Sequence, residues 1–218
     1  MTAQVLLFDL DGCLVDSTVP ITRCMNLALV QVGLPERDPA ELVRFIGPPL
    51  PASFATMLTE ADADPSLAPT CVEAYRAAYP QESLRTTRVV AGIPEVLAEV
   101  GRDAVLAVVT SKPRPFALPI VEHLGLLASF RAVHGPQTDM QGEPKAVTLR
   151  RALTDVAPDA DPTEVVMIGD REHDVLAGRA CGTRTVGVTW GAGSVEELAA
   201  AGADHLAATP AELTAVLR

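Results

Sequence analysis

The chain has 218 residues, 48% of them hydrophobic and 21% charged, and carries a formal charge of −11. A chain of this size buries one substantial core and has material left for a smaller accessory domain. Its acidic balance excludes the broad basic face that nucleic acid or an anionic membrane requires, so a small anionic ligand must be met by a few concentrated cations or by a metal.

Residues 5–8 have the apolar, β-branched and aromatic make-up of a strand buried on both faces. That strand ends abruptly in Asp9, Asp11 and Gly12. Side chains at i and i+2 share a side, so both carboxylates are expected to enter one crevice, with Gly12 permitting the turn that follows. Acids held this close repel unless a cation or a shared proton compensates. Turn chemistry alone also explains Asp and Gly after a strand, and only the rest of the chain decides between the two.

Residues 17–32 carry apolar positions at helical spacing, and Gly33 closes that helix. Asp38-Pro39-Ala40-Glu41 has the signature of a helix start. Gly47-Pro48-Pro49-Leu50-Pro51 breaks that helix and opens another to about residue 58. A further helical pattern covers residues 68–79. No strand is expected between residues 17 and 88. This block is too long for a loop and reads as an inserted all-helical cap domain, 17–88, dividing a core made of 1–16 and 89–218.

From Gly92 the expected elements are a helix (94–100), a strand (104–109), a helix (115–124) and a short strand (132–133). They are followed by a helix (144–154), a strand (164–168), a helix (175–181) and a strand (184–188), with helices at 195–201 and 210–217 in the tail. Strands alternating with helices predict an α/β core, a doubly wound, Rossmann-like parallel sheet. Ligands in such sheets bind beyond the carboxyl ends of the strands. The residues there are Asp9 and Asp11, then Thr110-Ser111-Lys112, then Gly169-Asp170 with Asp174 beyond. Gly142-Glu143-Pro144-Lys145 sets a lysine at a helix start. Carboxylate oxygens suit Mg²⁺, while a hydroxyl and a lysine can hold phosphoryl oxygens. One carboxylate is then available to attack phosphorus and a second to serve as acid and base.

Phe8-Asp9-Leu10-Asp11-Gly12 with Val15-Asp16-Ser17 resembles the first motif of the haloacid dehalogenase superfamily. Thr110, Lys145 and Gly169-Asp170-Arg171-Glu172-His173-Asp174 are similar to its second, third and fourth motifs, in order and in rough spacing. The likeness covers essentially the whole chain and is greatest to the phosphoglycolate-phosphatase-like and nucleotidase-like branch. It implies a Mg²⁺-dependent phosphatase acting on a small phosphate monoester. Asp9 would be the nucleophile that becomes an aspartyl-phosphate, and Asp11 the acid and then base. Thr110 and Lys145 would bind phosphoryl oxygens. Mg²⁺ would be held by Asp9, the main-chain carbonyl of Asp11, and Asp170, with Asp174 supporting the metal waters or orienting Lys145. Cys13 stands where Thr or Val is more usual. A phosphomutase using the same intermediate, or a phospho-accepting receiver-like signalling module, are the competing readings. Haloacid dehalogenation suits the chain less well, since it needs neither the second acid nor a metal.

The remaining residues are read conservatively. Ser111 and Lys112 are expected as exposed loop residues, with a place bordering the phosphate as the functional alternative, and His173 as a packed or solvated side chain. Arg44 is read as a surface arginine, with a substrate anion as its functional alternative. Trp190-Gly191-Ala192-Gly193 is a weak glycine-rich loop. Four cysteines with no C-x-x-C pair, no secretory pattern and no membrane-length apolar run point to free thiols in the cytoplasm. Cys13 is expected to be reactive if exposed.

Overall fold

The computed structural model describes residues 4–137 and 143–218. The chain divides into two compact units, Met1–Asp16 with Arg88–Arg218, and Ser17–Thr87. The first unit opens with β1 (Gln4–Phe8) and β2 (Val15–Asp16). The second holds α1 (Thr18–Gln31), α2 (Pro39–Leu42), α3 (Leu50–Glu60) and α4 (Ala68–Thr86). The chain returns through β3 (Arg88–Val89), which pairs antiparallel with β2. There follow α5 (Ile93–Val100), β4 (Ala104–Val109), α6 (Arg114–His123), β5 (Ala132–His134) and α7 (Lys145–Val156). The chain ends with β6 (Val165–Gly169), α8 (Glu172–Ala180), β7 (Arg184–Val188), α9 (Val195–Ala200), β8 (His205–Ala207) and α10 (Pro210–Leu217).

The expected doubly wound sheet is present. Its order is β5-β4-β1-β6-β7-β8, with every neighbouring pair parallel. The chain winds outward from β1 through β4 to β5, then returns to lay down β6, β7 and β8 on the other side. The winding therefore reverses between β1 and β6, and sheets of this kind bind ligands beyond the carboxyl ends at such a reversal.

Alternation along β1 supplies both faces of the sheet. Leu6 and Phe8 pack with Val96 and Leu97 of α5, Val121 of α6 and Leu213 of α10. Val5 and Leu7 pack with Leu149 and Ala152 of α7 and Ala177 of α8. A strand covered on both sides can carry no polar side chain until it leaves the core. Asp9 is the first residue beyond β1.

Several boundaries depart from the sequence reading. Arg88 pairs with Asp16 and belongs to the core unit rather than to the helical segment; a two-residue strand has too little periodicity to be read. α4 runs on past Pro80 to Thr86. Its contacts with α1 and the Arg23–Glu82 ion pair at 3.3 Å carry it through a residue that ordinarily ends a helix. β8 escaped notice because three residues at a sheet edge give no alternation to detect. Within the helical unit, Phe54 meets Tyr75 edge-on at 6.3 Å and Tyr75 stacks on Tyr79 at 5.1 Å. None of the described helices is long and apolar enough to cross a membrane.

Candidate active site

Register brings the predicted residues to one edge of the sheet. Asp9 follows β1 directly, and its N–H donates to the Ile168 carbonyl of β6 at 2.8 Å. Asp170 follows β6. Thr110 follows β4, with its N–H donating to the His134 carbonyl at 3.0 Å. Lys145 is the first residue of α7, set by Pro144, and Asp174 lies in the first turn of α8. Gly142 lies outside the described residues.

Asp9, Asp170 and Asp174 are buried, and each offers a carboxylate oxygen within 4.8 Å of the others. Lys145 Nζ donates to Asp9 Oδ1 at 2.5 Å and pairs with Asp174 Oδ1. Asp174 Oδ2 accepts from the Arg171 N–H at 3.0 Å, so one carboxylate both starts α8 and holds the lysine. A helix-start acid and a site residue are thus the same side chain. Asp170 Oδ2 accepts from the Ala192 N–H at 2.8 Å. Its Oδ1 has no hydrogen-bond partner among the described residues, although the residue is 1% exposed.

Three ionised carboxylates against one ammonium leave two negative charges uncompensated in a buried place. The electrostatics register this. Burial pushes the Asp9 carboxyl up to about 7, with Lys145 pulling against it and the charges of Asp174 and Asp11 adding to it. Asp170 rises to about 8, through burial first and then the neighbouring Asp174 and Asp9. Burial opposes the charge on Lys145, but Asp174 and Asp9 together outweigh it and raise its pKa. A divalent cation is the natural partner for this excess. The donors are all hard oxygens, one of them is an orphaned buried atom, and Mg²⁺ takes its protein ligands from one or two carboxylates. The residues fit that ion.

Asp11 and Thr110 complete the predicted set differently from the buried trio. The Asp11 carboxylate meets Lys112 Nζ at 2.7 Å and takes no part in the three-aspartate cluster. Buried Thr110 accepts from the Lys112 N–H through Oγ1 at 3.1 Å. Lys112 is therefore not an exposed loop residue: its side chain is 9% exposed and paired. Reading it as a loop residue followed from its position in a strand-end turn, where long polar side chains usually face water. Ser111 is exposed, as expected. Cys13 is fully buried, and burial, with the charges of Asp9 and Asp170, pushes its thiol well above the ordinary range, which removes the reactive reading. Arg44 is spoken for within the helical unit, held by Glu60 at 2.6 Å and lying over the Phe45 ring at 4.6 Å.

Two supports went unread in the sequence, and a third was seen without its task. Glu143 accepts from Thr148 Oγ1 at 2.6 Å and from Arg151 at 2.7 and 2.8 Å, and Arg151 Nη2 also donates to the Gly135 carbonyl at 3.2 Å. This brace fixes the start of α7, and with it Lys145, against the end of β5. Glu197 of α9 accepts from Arg171 Nε at 2.7 Å and the Glu172 N–H at 2.9 Å, fixing the start of α8. The third is the glycine-rich loop, whose task is close approach. A Cβ on Gly193 would strike the Asp170 carbonyl oxygen, and one on Gly12, at φ +83°, would strike the Asp170 carboxylate. Gly193→Ala is thus expected to displace Asp170. The outcome should be a stability loss of about 1–3 kcal/mol, typical of overpacking, and a higher Mg²⁺ concentration for half-maximal thermal stabilisation. Wild-type behaviour in both measurements would mean that the loop is only a connector.

The chain has clear relatives among known proteins. A family model described as haloacid dehalogenase-like hydrolase matches residues 6–188. The chain is 39% identical over 213 residues to the 5'-nucleotidase of Pseudomonas aeruginosa, covering 97% of this chain and 94% of that protein. It is 34% identical over 194 residues to tyrosine-protein kinase PtkA of Mycobacterium tuberculosis, covering 88% of this chain and 64% of the kinase. Among solved structures, the haloacid dehalogenase-like family hydrolase SP0104 of Streptococcus pneumoniae is similar with a TM-score of 0.90 and 27% identity, over 99% of both chains.

Proposed function

Because the chain belongs to the haloacid dehalogenase-like hydrolase family and is a phosphoric monoester hydrolase, we propose that it hydrolyses a small phosphate monoester with Mg²⁺, through an aspartyl-phosphate on Asp9. The observation that carries this reading is the buried trio of Asp9, Asp170 and Asp174 around Lys145, at the point where the sheet's winding reverses.

The chemistry follows from the residues in turn. An Asp9 oxygen attacks phosphorus, forming the acyl-phosphate as the bond to the ester oxygen breaks. Asp11 supplies the proton that the departing alkoxide takes up. As a carboxylate, Asp11 then removes a proton from the water that attacks phosphorus, and Asp9 is released unchanged. Lys145, held by Asp174, keeps the nucleophile's oxygen in place and offsets charge on the phosphoryl group. Thr110 offers a hydroxyl at the end of the adjacent strand. Asp9, Asp170 and Asp174, with the Asp11 main-chain oxygen, would hold Mg²⁺, which when bound supplies further charge compensation for the phosphoryl oxygens.

The residues gathered at the ends of β1, β4 and β6 are suited to phosphoryl chemistry and not to choosing among esters. Phosphate release should be measured across a panel of monoesters with Mg²⁺ or with EDTA. Nucleoside 5'-monophosphates come first because of the nucleotidase relative. Turnover on one class, lost in EDTA, is the expected result. Phosphorylated protein that accumulates without releasing phosphate would instead support a receiver-like role.

A further inference from the structure

The two acids after β1 end on different lysines. Asp9 is held by Lys145, whereas Asp11 is held by Lys112, a residue 101 positions away. Resting on the phosphatase reading, we propose that Lys112 is the positioning residue for Asp11, fixing the oxygen that gives a proton to the leaving group and later takes one from water.

The geometry of the pair is unusual for a lysine in a turn. Lys112 Nζ lies 2.7 Å from both carboxylate oxygens of Asp11. The base of the side chain is anchored as well. The Lys112 N–H donates to Thr110 Oγ1 at 3.1 Å. Two residues on, the Arg114 N–H donates to the Pro136 carbonyl at 2.9 Å, and Arg114 Nε to the Val133 carbonyl at 3.1 Å. Gly135 lies so close to the Lys112 carbonyl that any Cβ there would collide with it. The loop after β4 is thus tied to the end of β5, and the ammonium has a fixed origin.

Asp11 needs such a partner. Its main chain is set by a turn in which the Gly12 N–H donates to the Val15 carbonyl at 2.8 Å. Its side chain stands at the edge of the site, 17% exposed, where a carboxylate has several staggered rotamers to choose from. Lys112 selects one. Separate lysines also keep the nucleophile and the acid/base from competing for a single cation. Lys112 moves no proton itself. In the first half-reaction the Asp11 proton goes to the ester oxygen as the P–O bond breaks. In the second, the water proton goes to Asp11 as the Asp9–phosphorus bond breaks. A misplaced general acid or base forfeits a large part of its effect.

The test uses the full chain with Mg²⁺ and compares wild type, Lys112→Met and Lys112→Arg on an alkyl phosphate and on p-nitrophenyl phosphate. For Lys112→Met, kcat on the alkyl ester is expected to fall about 10²-fold with KM nearly unchanged. The burst of p-nitrophenolate should persist, because that leaving group needs no proton, while the steady rate after the burst falls. Lys112→Arg should recover much of the loss, since a guanidinium can hold a carboxylate through two hydrogen bonds. A rise in KM with kcat intact would overturn the proposal and make Lys112 a phosphate ligand. Equal losses in the burst and on the alkyl ester would reduce it to a structural residue. A crystal structure of Lys112→Met decides independently of turnover: Asp11 is expected to leave its place or adopt more than one rotamer, and an unmoved single rotamer would refute the assignment. Wild-type protein silent on every monoester would count against the phosphatase reading, with the Asp11 rotamer still deciding the role of Lys112.

Discussion

Asp9→Asn is expected to lower turnover by at least about 10⁴-fold, on the scale of losing a nucleophile elsewhere, while the protein folds as before. An amide is nearly the same shape, and its oxygen can still accept from Lys145 Nζ, now 2.5 Å from Asp9 Oδ1. What is lost is the charge and the oxygen that attacks. The stability side of this prediction is equally specific. Asp9 is buried, and burial is the largest influence on its carboxyl. Neutralising it removes one of the uncompensated charges, and Lys145 keeps Asp174 as its partner. The thermal midpoint in the absence of metal should therefore stay level or rise. Lys145→Met should do the reverse, losing about 3–5 kcal/mol, because it strands carboxylates that already outnumber their cation. Phosphate release and thermal unfolding of both variants check these outcomes. If Asp9→Asn retained a tenth of wild-type activity, the nucleophile would have to be sought elsewhere.

How far these residues were legible depends on what kind of signal each one left. β1 was visible because a strand buried on both faces must be continuously apolar, and the abrupt change at Asp9 marked where it leaves the sheet. Asp170 was visible for the same reason at the end of β6. Lys145 was visible through Pro144, which sets the helix start. Lys112, Glu143, Arg151 and Glu197 left no such mark. Lys112 and Glu197 work through partners distant in the chain, Asp11 and Arg171, while Glu143 and Arg151 grip each other across eight residues, and no periodicity encodes such pairs. The loop at Gly191 and Gly193 was visible as a glycine-rich stretch, but its task was not. A glycine-rich stretch announces close approach, but not what approaches, and here the neighbour is Asp170 rather than a ligand. Asp174 shows the limit from the other side, since its helix-start role and its hold on Lys145 share one sequence signal.

Asp170→Asn is expected to remove a large part of the pH dependence of metal-free stability near the site. The folded carboxyls of Asp9 and Asp170 are raised to about 7 and about 8, from an ordinary value of 3.8. Between those limits the folded protein holds protons that the unfolded chain has released. Stability from these groups is therefore full below about pH 4 and is lost as the pH climbs through 7 and 8. Other carboxyls, such as Glu143 and Asp204, are lowered and act in the opposite sense at lower pH, so the informative quantity is the difference between wild type and variant. Asn has no proton to lose and can still accept from the Ala192 N–H, which now reaches Asp170 Oδ2 at 2.8 Å. With EDTA present, Asp170→Asn should gain on wild type as the pH rises from 4 to 8, by a few kcal/mol at the upper end given that each pKa unit is worth about 1.4 kcal/mol. Mg²⁺ should act against this trend. Its ligands must be deprotonated, so it should stabilise wild type more at pH 8 than at pH 5 and the variant little at either. Urea unfolding at several pH values, with Mg²⁺ or EDTA, measures all four cases. Parallel curves for wild type and variant would mean that Asp170 carries no excess charge and that the trio is held together by something other than a cation. Divergent curves brought together by Mg²⁺ would tie the repulsion within the carboxylate cluster to the ion that relieves it.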